Sequence, residues 1–148
     1  MRQVVLKVVS LVAVAVIGVA AVPTVAAAQA PAVNVWELLN QVHEASRAED
    51  YFSLNYILGR MDQSTNSSWT VMLEEGRTYK IVGVCDNDCS DLDLEVTQGG
   101  TVVGTDILPD DVPIVTFRAT ATGSYSIKVM METCSSEPCY WGIVVLVK

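Results

Sequence analysis

The chain has 148 residues, and 17 acidic against 9 basic side chains give it a formal charge of −8 at pH 7. This length suits one domain with a hydrophobic core. The excess of acid argues against nucleic acid and anionic lipid surfaces as partners, because both require a basic surface.

The first 28 residues have the pattern of a secretory signal peptide. A basic start precedes the apolar run VVSLVAVAVIGVAAV, and the small residues Ala26 and Ala28 precede the expected cut. We predict cleavage after Ala28 and a secreted or periplasmic protein without membrane contact, with an uncleaved membrane anchor as the alternative. Without residues 1–28 the chain keeps 7 basic and 17 acidic side chains, a formal charge of −10.

Residues 29–62 are predicted to form a short N-terminal helical segment. The stretch VWELLNQVHEASR places its apolar side chains on one helical face, and Asn34 is the expected N-cap. The following YFSLNYILGRM fits either a second helical turn or an extended segment, with Gly59 as its natural stop.

Residues 63–148 are predicted to form the folded β-domain, because the apolar period changes to two. The predicted strands lie in SWTVMLEE, RTYKIVGVC, DLDLEVTQ, TVVGTDI, VPIVTFRAT, SYSIKVMME and YWGIVVLVK. About seven short strands separated by turn residues predict an all-β fold, an antiparallel β-sandwich or jelly roll. Trp69 and Trp141 share strand faces with aliphatic residues, so both are expected in the core.

Four cysteines lie in the second half of the chain, and an even number in an exported protein indicates structural disulfides. We predict the pairs Cys85–Cys89 and Cys134–Cys139, because each brackets a turn between strand ends. Cross-pairing between the two turns is the open alternative. Neither spacing is the C-x-x-C of a redox site, and neither fits a zinc knuckle.

The stretch CDNDCSDLDLEV is rich in aspartate but does not match an EF-hand loop. If the two glycines of TQGGTV form a two-residue hairpin turn, Asp93 faces Asp106 across the hairpin. Facing like charges destabilise a sheet, and a calcium ion would turn that repulsion into coordination. The candidate calcium ligands are Asp91, Asp93, Asp106, Asp110 and Asp111. The alternative is that these are solvated carboxylates on an outer face and in turns.

Three stretches, YKIVGVCDNDCSDLDLEV, TDILPDDVPIVTF and GSYSIKVMMETCSSEPCYWGIVV, resemble the bacterial pre-peptidase C-terminal domain. That domain is a β-sandwich often appended to secreted peptidases, and the resemblance covers roughly residues 67–148. Because some members bind calcium, it implies a ligand role for Asp91, Asp93, Asp106 and Asp111. Some members bind insoluble polymers such as collagen or polysaccharide. The two cysteine pairs depart from the family pattern.

No catalytic residues are predicted, because the single histidine, His43, lies on the helix without a nucleophile and an acid gathered around it. We therefore predict an exported, non-enzymatic binding or accessory module, with an extracellular polymer or a secreted protein as its partner. The alternative is a structural or inhibitory partner of a secreted peptidase, by association of fold.

Overall fold

The computed structural model describes residues 30–148, so the predicted signal peptide lies outside the described residues. Within this range one helix, α1, spans Ala30–Arg47 and precedes eight strands. The strands are β1 (Phe52–Met61), β2 (Thr65–Leu73), β3 (Thr78–Cys85), β4 (Cys89–Gln98), β5 (Thr101–Asp106), β6 (Ile114–Arg118), β7 (Gly123–Cys134) and β8 (Cys139–Val147).

The strands form two four-stranded sheets with every pairing antiparallel. The first sheet has the order β1-β8-β3-β6, and the second sheet has the order β2-β7-β4-β5. The predicted antiparallel sandwich is confirmed. The structure has one strand more than the sequence predicted, and this additional strand is β1.

The main core lies between the two sheets and follows from the alternation of each strand. In β7, for example, Tyr125, Ile127 and Val129 are fully buried, whereas Ser126 and Lys128 between them are half-exposed. Burial of such side chains contributes roughly 25 cal/mol per Å² of apolar surface. The hydrophobic effect therefore fixes which face of each strand turns inward.

Strand β8 departs from this alternation because both of its faces are covered. Ile143 and Val145 belong to the core between the sheets, while Val144 and Leu146 pack in a second cluster under α1. A strand buried on both sides needs a continuous apolar run, as YWGIVVLV provides.

Helix α1 lies on the outer face of the first sheet. Its residues Val35 and Leu39 are fully buried there. A Cβ on Gly142 would lie 2.7 Å from Cδ1 of Leu39 and 2.9 Å from Cγ1 of Val35. Only glycine at position 142 therefore allows the helix to approach the sheet this closely.

Two expectations for the N-terminal segment are corrected. The helix begins at Ala30, so Asn34 lies inside it and is not the N-cap. The helix ends at Arg47, and residues 52–61 are extended and pair with β8. The predicted helical segment 29–62 is therefore wrong beyond residue 47, and the alternative of an extended segment for YFSLNYILGRM is confirmed. This segment is a strand and not a helix because its pairing with β8 places Ile57 against the core and Tyr56 under the helix. No helix within residues 30–148 is long and apolar enough to span a bilayer.

Candidate functional site

Two disulfides link the sheets at one end of the sandwich. Cys85 in β3 bonds to Cys89 in β4, and Cys134 in β7 bonds to Cys139 in β8. The predicted local pairing is confirmed. Since β3 and β8 belong to the first sheet and β4 and β7 to the second, each disulfide joins one sheet to the other.

The two turns that these disulfides close also contact each other, and we call them together the stapled end. Asp86 is buried; its Oδ2 accepts a hydrogen bond from the Tyr140 amide at 2.9 Å, and its own amide donates to the Tyr140 carbonyl at 3.0 Å. The Asp88 carbonyl accepts from both the amide and the hydroxyl of Ser135, at 2.7 and 2.9 Å. The carboxylate of Asp86 and the backbone of Asp88 therefore have a structural role.

The predicted register of the β4–β5 hairpin is wrong by one residue. Gln98 faces Thr101 as expected, but a β-bulge leaves Val103 without a partner, so Asp106 faces Leu94 instead of Asp93. A shift of one residue moves a side chain to the other face of a strand. Asp93 instead pairs with Met130 of β7 on its other side.

Asp106 and Asp110 organise the β5–β6 loop, residues 107–113. The two carboxylate oxygens of Asp106 accept hydrogen bonds from the amides of Leu108, at 3.3 Å, and Ile114, at 2.8 Å. Asp110 Oδ1 accepts from the Val112 amide at 3.1 Å. These carboxylates are thus partly occupied by backbone donors, and the predicted ligand Asp111 is exposed on the same loop.

The same loop is fastened to both sheets. The Leu92 amide in β4 donates to the Asp110 carbonyl at 2.9 Å, and the Gly83 amide in β3 donates to the Pro113 carbonyl at 2.9 Å. Pro113 is buried and packs so closely that a Cβ on Gly83 would lie 2.9 Å from its Cγ. The loop therefore has a defined conformation across the edge of the sandwich.

Although held in place, the loop exposes large apolar side chains to solvent. The exposed fractions are 66% for Ile107, 62% for Leu108, 41% for Val112 and 49% for Ile114, the first residue of β6. Isolated exposed apolar residues are ordinary, but four within eight consecutive residues make this segment a candidate interaction site. We call these four side chains the apolar loop surface.

Asp93 lies in β4, the strand that this loop is bonded to, and is only 8% exposed. Its Oδ1 and that of Asp91 are buried without a hydrogen-bond partner in the described part of the chain. Burial, followed by the charges of Asp91, Glu132, Asp106 and Asp110, raises the pKa of Asp93 to about 6. A buried carboxylate of this kind lacks the partners that normally stabilise it.

Glu132 belongs to this acidic cluster, and sequence reasoning missed it. The β4–β7 ladder pairs Asp91 with Thr133 and Leu92 with Met131, so Glu132 is left unpaired next to Asp91. Nothing in the local sequence reveals this irregularity, because it depends on the pairing of two distant strands.

The fit of these residues to a calcium ion is partial. Asp91 and Asp93 have unpartnered oxygens that a hard cation would satisfy. Within residues 30–148, however, no three His, Cys, Asp or Glu side chains lie close enough to form a ready metal site. Of the five predicted calcium ligands, two, Asp91 and Asp93, thus have a buried carboxylate oxygen that is free to bind a cation.

His43 lies at the interface between α1 and β1. Its Nδ1 is 2.5 Å from Ser53 Oγ, and the Tyr56 hydroxyl donates to the same oxygen at 2.9 Å. Glu44 Oε1 lies 3.9 Å from His43 Nε2. The contact between His43 and Ser53 joins the helix to the edge strand, and the sequence did not reveal it because Ser53 was not assigned to a strand.

The aromatic residues divide between core and surface. Trp141 is fully buried, as predicted, whereas Trp69 on the edge strand β2 is 44% exposed, so its assignment to the core is wrong. Trp36 packs against Tyr56 with ring centroids 5.5 Å apart. This contact docks the helix.

No protein-family model and no curated protein matches the chain. Among solved structures, the fold is similar to that of PliG, a periplasmic lysozyme inhibitor of g-type lysozyme from Aeromonas hydrophila, with 15% identity, a TM-score of 0.51, and 68% of this chain and 90% of that chain covered. A second is the carbohydrate-binding module CBM36 in complex with calcium and xylotriose, with 16% identity, a TM-score of 0.32 and coverages of 68% and 94%. At this identity the first likeness shows the fold alone, and the second is too distant to support an argument.

Proposed function

We propose that the protein is an exported, non-enzymatic binding module, that its partner is a secreted protein, and that the apolar loop surface makes the contact. The observation that carries this proposal is an exposed apolar loop held to both sheets by backbone hydrogen bonds. A relationship to the pre-peptidase C-terminal domains is part of the proposal, and the sandwich fold is compatible with it.

The fixed conformation of the loop favours binding. A loop that is already ordered loses little conformational entropy when a partner covers it, so more of the contact free energy remains as affinity. Burying the side chains of Ile107 and Leu108, which are the most exposed of the four, would supply the apolar centre of an interface.

The charge of the protein indicates the chemistry of the partner. Asp110 and Asp111 flank the apolar side chains, and the chain without residues 1–28 has a formal charge of −10. Complementary potentials speed association and exclude wrong partners. We therefore expect an apolar groove bordered by lysine and arginine side chains on the partner.

A protein is a better candidate than a polymer for this surface. The loop sequence ILPDDVPI contains no aromatic residue that could stack on a sugar ring. The exposed aromatics lie elsewhere: Trp36 on the helix, and Phe52 and Trp69 on the edge strands β1 and β2. Polymer binding through these aromatics is the second candidate function.

Inhibition of a secreted enzyme is the specific form of protein binding that we propose to examine first. A protein of similar fold, PliG, inhibits g-type lysozyme. The alternative predicted from sequence, a partner of a secreted peptidase, belongs to the same class. In either case the apolar loop surface would enter or border the enzyme's substrate cleft.

We also propose that calcium stabilises the acidic cluster. Asp91 and Asp93 would hold the ion with their unpartnered oxygens. Bound calcium would remove the repulsion between these side chains and stabilise β4, to which the loop is bonded through Leu92.

The loop is tested with a photoreactive amino acid, benzoylphenylalanine, placed at Leu108 or at Met72 in the exported protein. Both side chains are exposed and apolar, but Met72 lies on β2, at the opposite edge of the second sheet. We expect one discrete protein adduct from position 108 and none from position 72. Equal adducts at both positions, or none at position 108, would refute the docking role of the loop.

The inhibitor form is tested with purified g-type lysozyme and a purified secreted peptidase. Inhibition should weaken roughly tenfold or more with Leu108→Asp and remain unchanged with Met72→Asp. Saturable binding to insoluble xylan or collagen by the protein and by Leu108→Asp alike would instead favour the polymer function.

Calcium is tested by thermal unfolding with added calcium and with chelator. A ligand that binds only the folded state raises Tm as its concentration exceeds Kd. We expect a rise that Asp93→Asn abolishes and Asp111→Asn leaves intact. An unchanged Tm at millimolar calcium would show that the cluster binds no calcium.

A further inference from the structure

A pocket lies between the start of α1 and the β1–β8 pair of the first sheet. Its volume is about 260 Å³, and its lining residues are Ala32, Val35, Leu58, Gly59, Arg60, Tyr140 and Trp141. Strand β1 forms one edge of the first sheet and β6 forms the other, so this pocket and the apolar loop surface lie at opposite edges. The pocket is therefore a separate site.

The pocket wall is largely apolar and preformed. Val35 and Trp141 are almost fully buried, and both are held in hydrophobic clusters. The helix side of the pocket is fixed by the close contact between Val35 and Gly142. A cavity that stays open between rigid elements can receive a ligand without reorganisation.

Arg60 is the one charged residue in the lining. Like the other arginines within residues 31–148, it forms no ion pair, so its guanidinium is available to a ligand. What distinguishes Arg60 is its place in the lining of an apolar pocket, where its planar fork can receive a carboxylate.

We propose that this pocket binds a small aliphatic carboxylate, with its alkyl chain between Ala32, Val35 and Leu58 and its carboxylate at Arg60. The volume is just below the range of about 300–1,000 Å³ that is usual for drug-sized ligands, so a short chain fits better than a long one. The strongly negative protein favours a monoanion over a multiply charged phosphate.

The probe is sodium octanoate, titrated calorimetrically into the exported protein, with methyl NMR spectra to locate the site. For a ligand this small we expect a Kd of roughly 0.1–1 mM. The methyl signals of Val35 and Leu58 should shift with saturation. Octanol and octyltrimethylammonium, which share the chain but lack the carboxylate, should bind at least about tenfold more weakly.

Two matched pairs of variants separate the head group from the pocket. Arg60→Gln should weaken octanoate binding about tenfold, while Arg118→Gln, on the exposed edge strand β6, should change it less than about twofold. Ala32→Leu fills the pocket and should abolish binding, while Ala45→Leu, at an exposed position of the same helix, should not.

Three results would overturn the proposal. The first is the absence of a saturable signal at octanoate concentrations well above the expected Kd. The second is equal binding by Ala32→Leu, which would place octanoate elsewhere on the protein. The third is that the protein binds octanol as tightly as octanoate, or that Arg60→Gln binds octanoate as tightly as the unsubstituted protein. Either result would show that the carboxylate does not contribute to binding.

Discussion

The stapled end and the acidic cluster around Asp93, called the acidic edge below, meet within one short stretch of sequence, residues 85–96. The buried aspartates of the two regions have different surroundings. At the stapled end, Asp86 is buried and its Oδ1 has no partner in the described part of the chain, but its Oδ2 and its amide exchange two hydrogen bonds with the Tyr140 backbone. At the acidic edge, Asp93 is buried beside other carboxylates, and its Oδ1 has no partner in the described part of the chain. Similar composition thus produces a structural turn in one place and an electrostatically unfavourable site in the other.

The difference shows what distinguishes an acidic residue that stabilises a fold from one that is available for a ligand. A buried carboxylate that accepts backbone donors contributes to stability, whereas one without partners costs free energy until a proton or a cation arrives. The acidic edge is also joined to the loop that exposes its apolar side chains, through the hydrogen bond from the Leu92 amide to the Asp110 carbonyl. The stapled end therefore supplies stability, and the acidic edge belongs to the region that we propose for binding.

The largest effect is expected from removing the disulfides. Replacing Cys85 and Cys89 with serine, or Cys134 and Cys139 with serine, should each cost about 2 kcal/mol of unfolding free energy, because each crosslink closes a short loop. Denaturant unfolding at pH 7.5 measures this loss. Photocrosslinking from Leu108 in the same variants checks the separation of the two regions. If the photoadduct from position 108 is lost in either disulfide variant under conditions where that variant is still folded, the stapled end and the loop are not independent.

The sequence predicted the stapled end and the sandwich well, because both depend on local signals. Turn residues between alternating strands revealed seven of the eight strands, and cysteines flanking turns revealed both disulfides. The missed strand β1 has an apolar pattern that suits either a helix or a strand, and only its pairing with β8 decides between them.

The acidic edge was predicted less well, because it depends on irregular pairing between strands. The bulge at Val103 moves Asp106 out of register with Asp93, and the irregularity at Glu132 brings in a carboxylate that the sequence did not indicate.

The apolar loop surface was not predicted from the sequence, for a different reason. The pattern of ILPDDVPI predicts a turn followed by a strand, and nothing in it shows that its four large aliphatic side chains stay exposed.

The second prediction concerns Asp93 and sharpens the contrast with Asp86. Because the pKa of Asp93 is raised from 3.8 to about 6 in the folded protein, the protonated form stabilises the fold at low pH. This stabilisation is fully present below pH 3.8 and is lost as pH rises through about 6. In chelator-treated buffer, Asp93→Asn should therefore be more stable than the unsubstituted protein by about 1–2 kcal/mol at pH 7.5, and nearly equal to it at pH 4.

Asp86→Asn is the matched comparison for this experiment, because Asp86 is buried to a similar extent and its Oδ1 is also unpartnered, but its Oδ2 accepts a hydrogen bond from the Tyr140 amide. It should lower the unfolding free energy at pH 7.5, by about 1 kcal/mol, opposite in sign to Asp93→Asn. Denaturant unfolding at both pH values measures the pair. If both substitutions change stability with the same sign, hydrogen bonding is not what separates the two aspartates.

The smallest change in global stability is expected for Asp106→Ala, because two effects of this substitution oppose each other. Loss of the carboxylate removes the acceptor for the Leu108 and Ile114 amides, which should cost about 1 kcal/mol. The same change removes a charge that raises the pKa of Asp93, and this relieves part of the repulsion at the acidic edge. The net change in unfolding free energy should stay below about 1 kcal/mol.

Local hydrogen exchange separates the two effects of Asp106→Ala, because the Ile114 amide should exchange much faster while amides in β8 keep their protection. Asp111→Ala, which removes an exposed carboxylate from the same loop, is the control and should leave the Ile114 amide protected. Unchanged exchange at Ile114 in Asp106→Ala would mean that the contacts of Leu92 and Gly83 alone hold the loop. The acidic edge would then contribute to the binding region through its charge and not through the conformation of the loop.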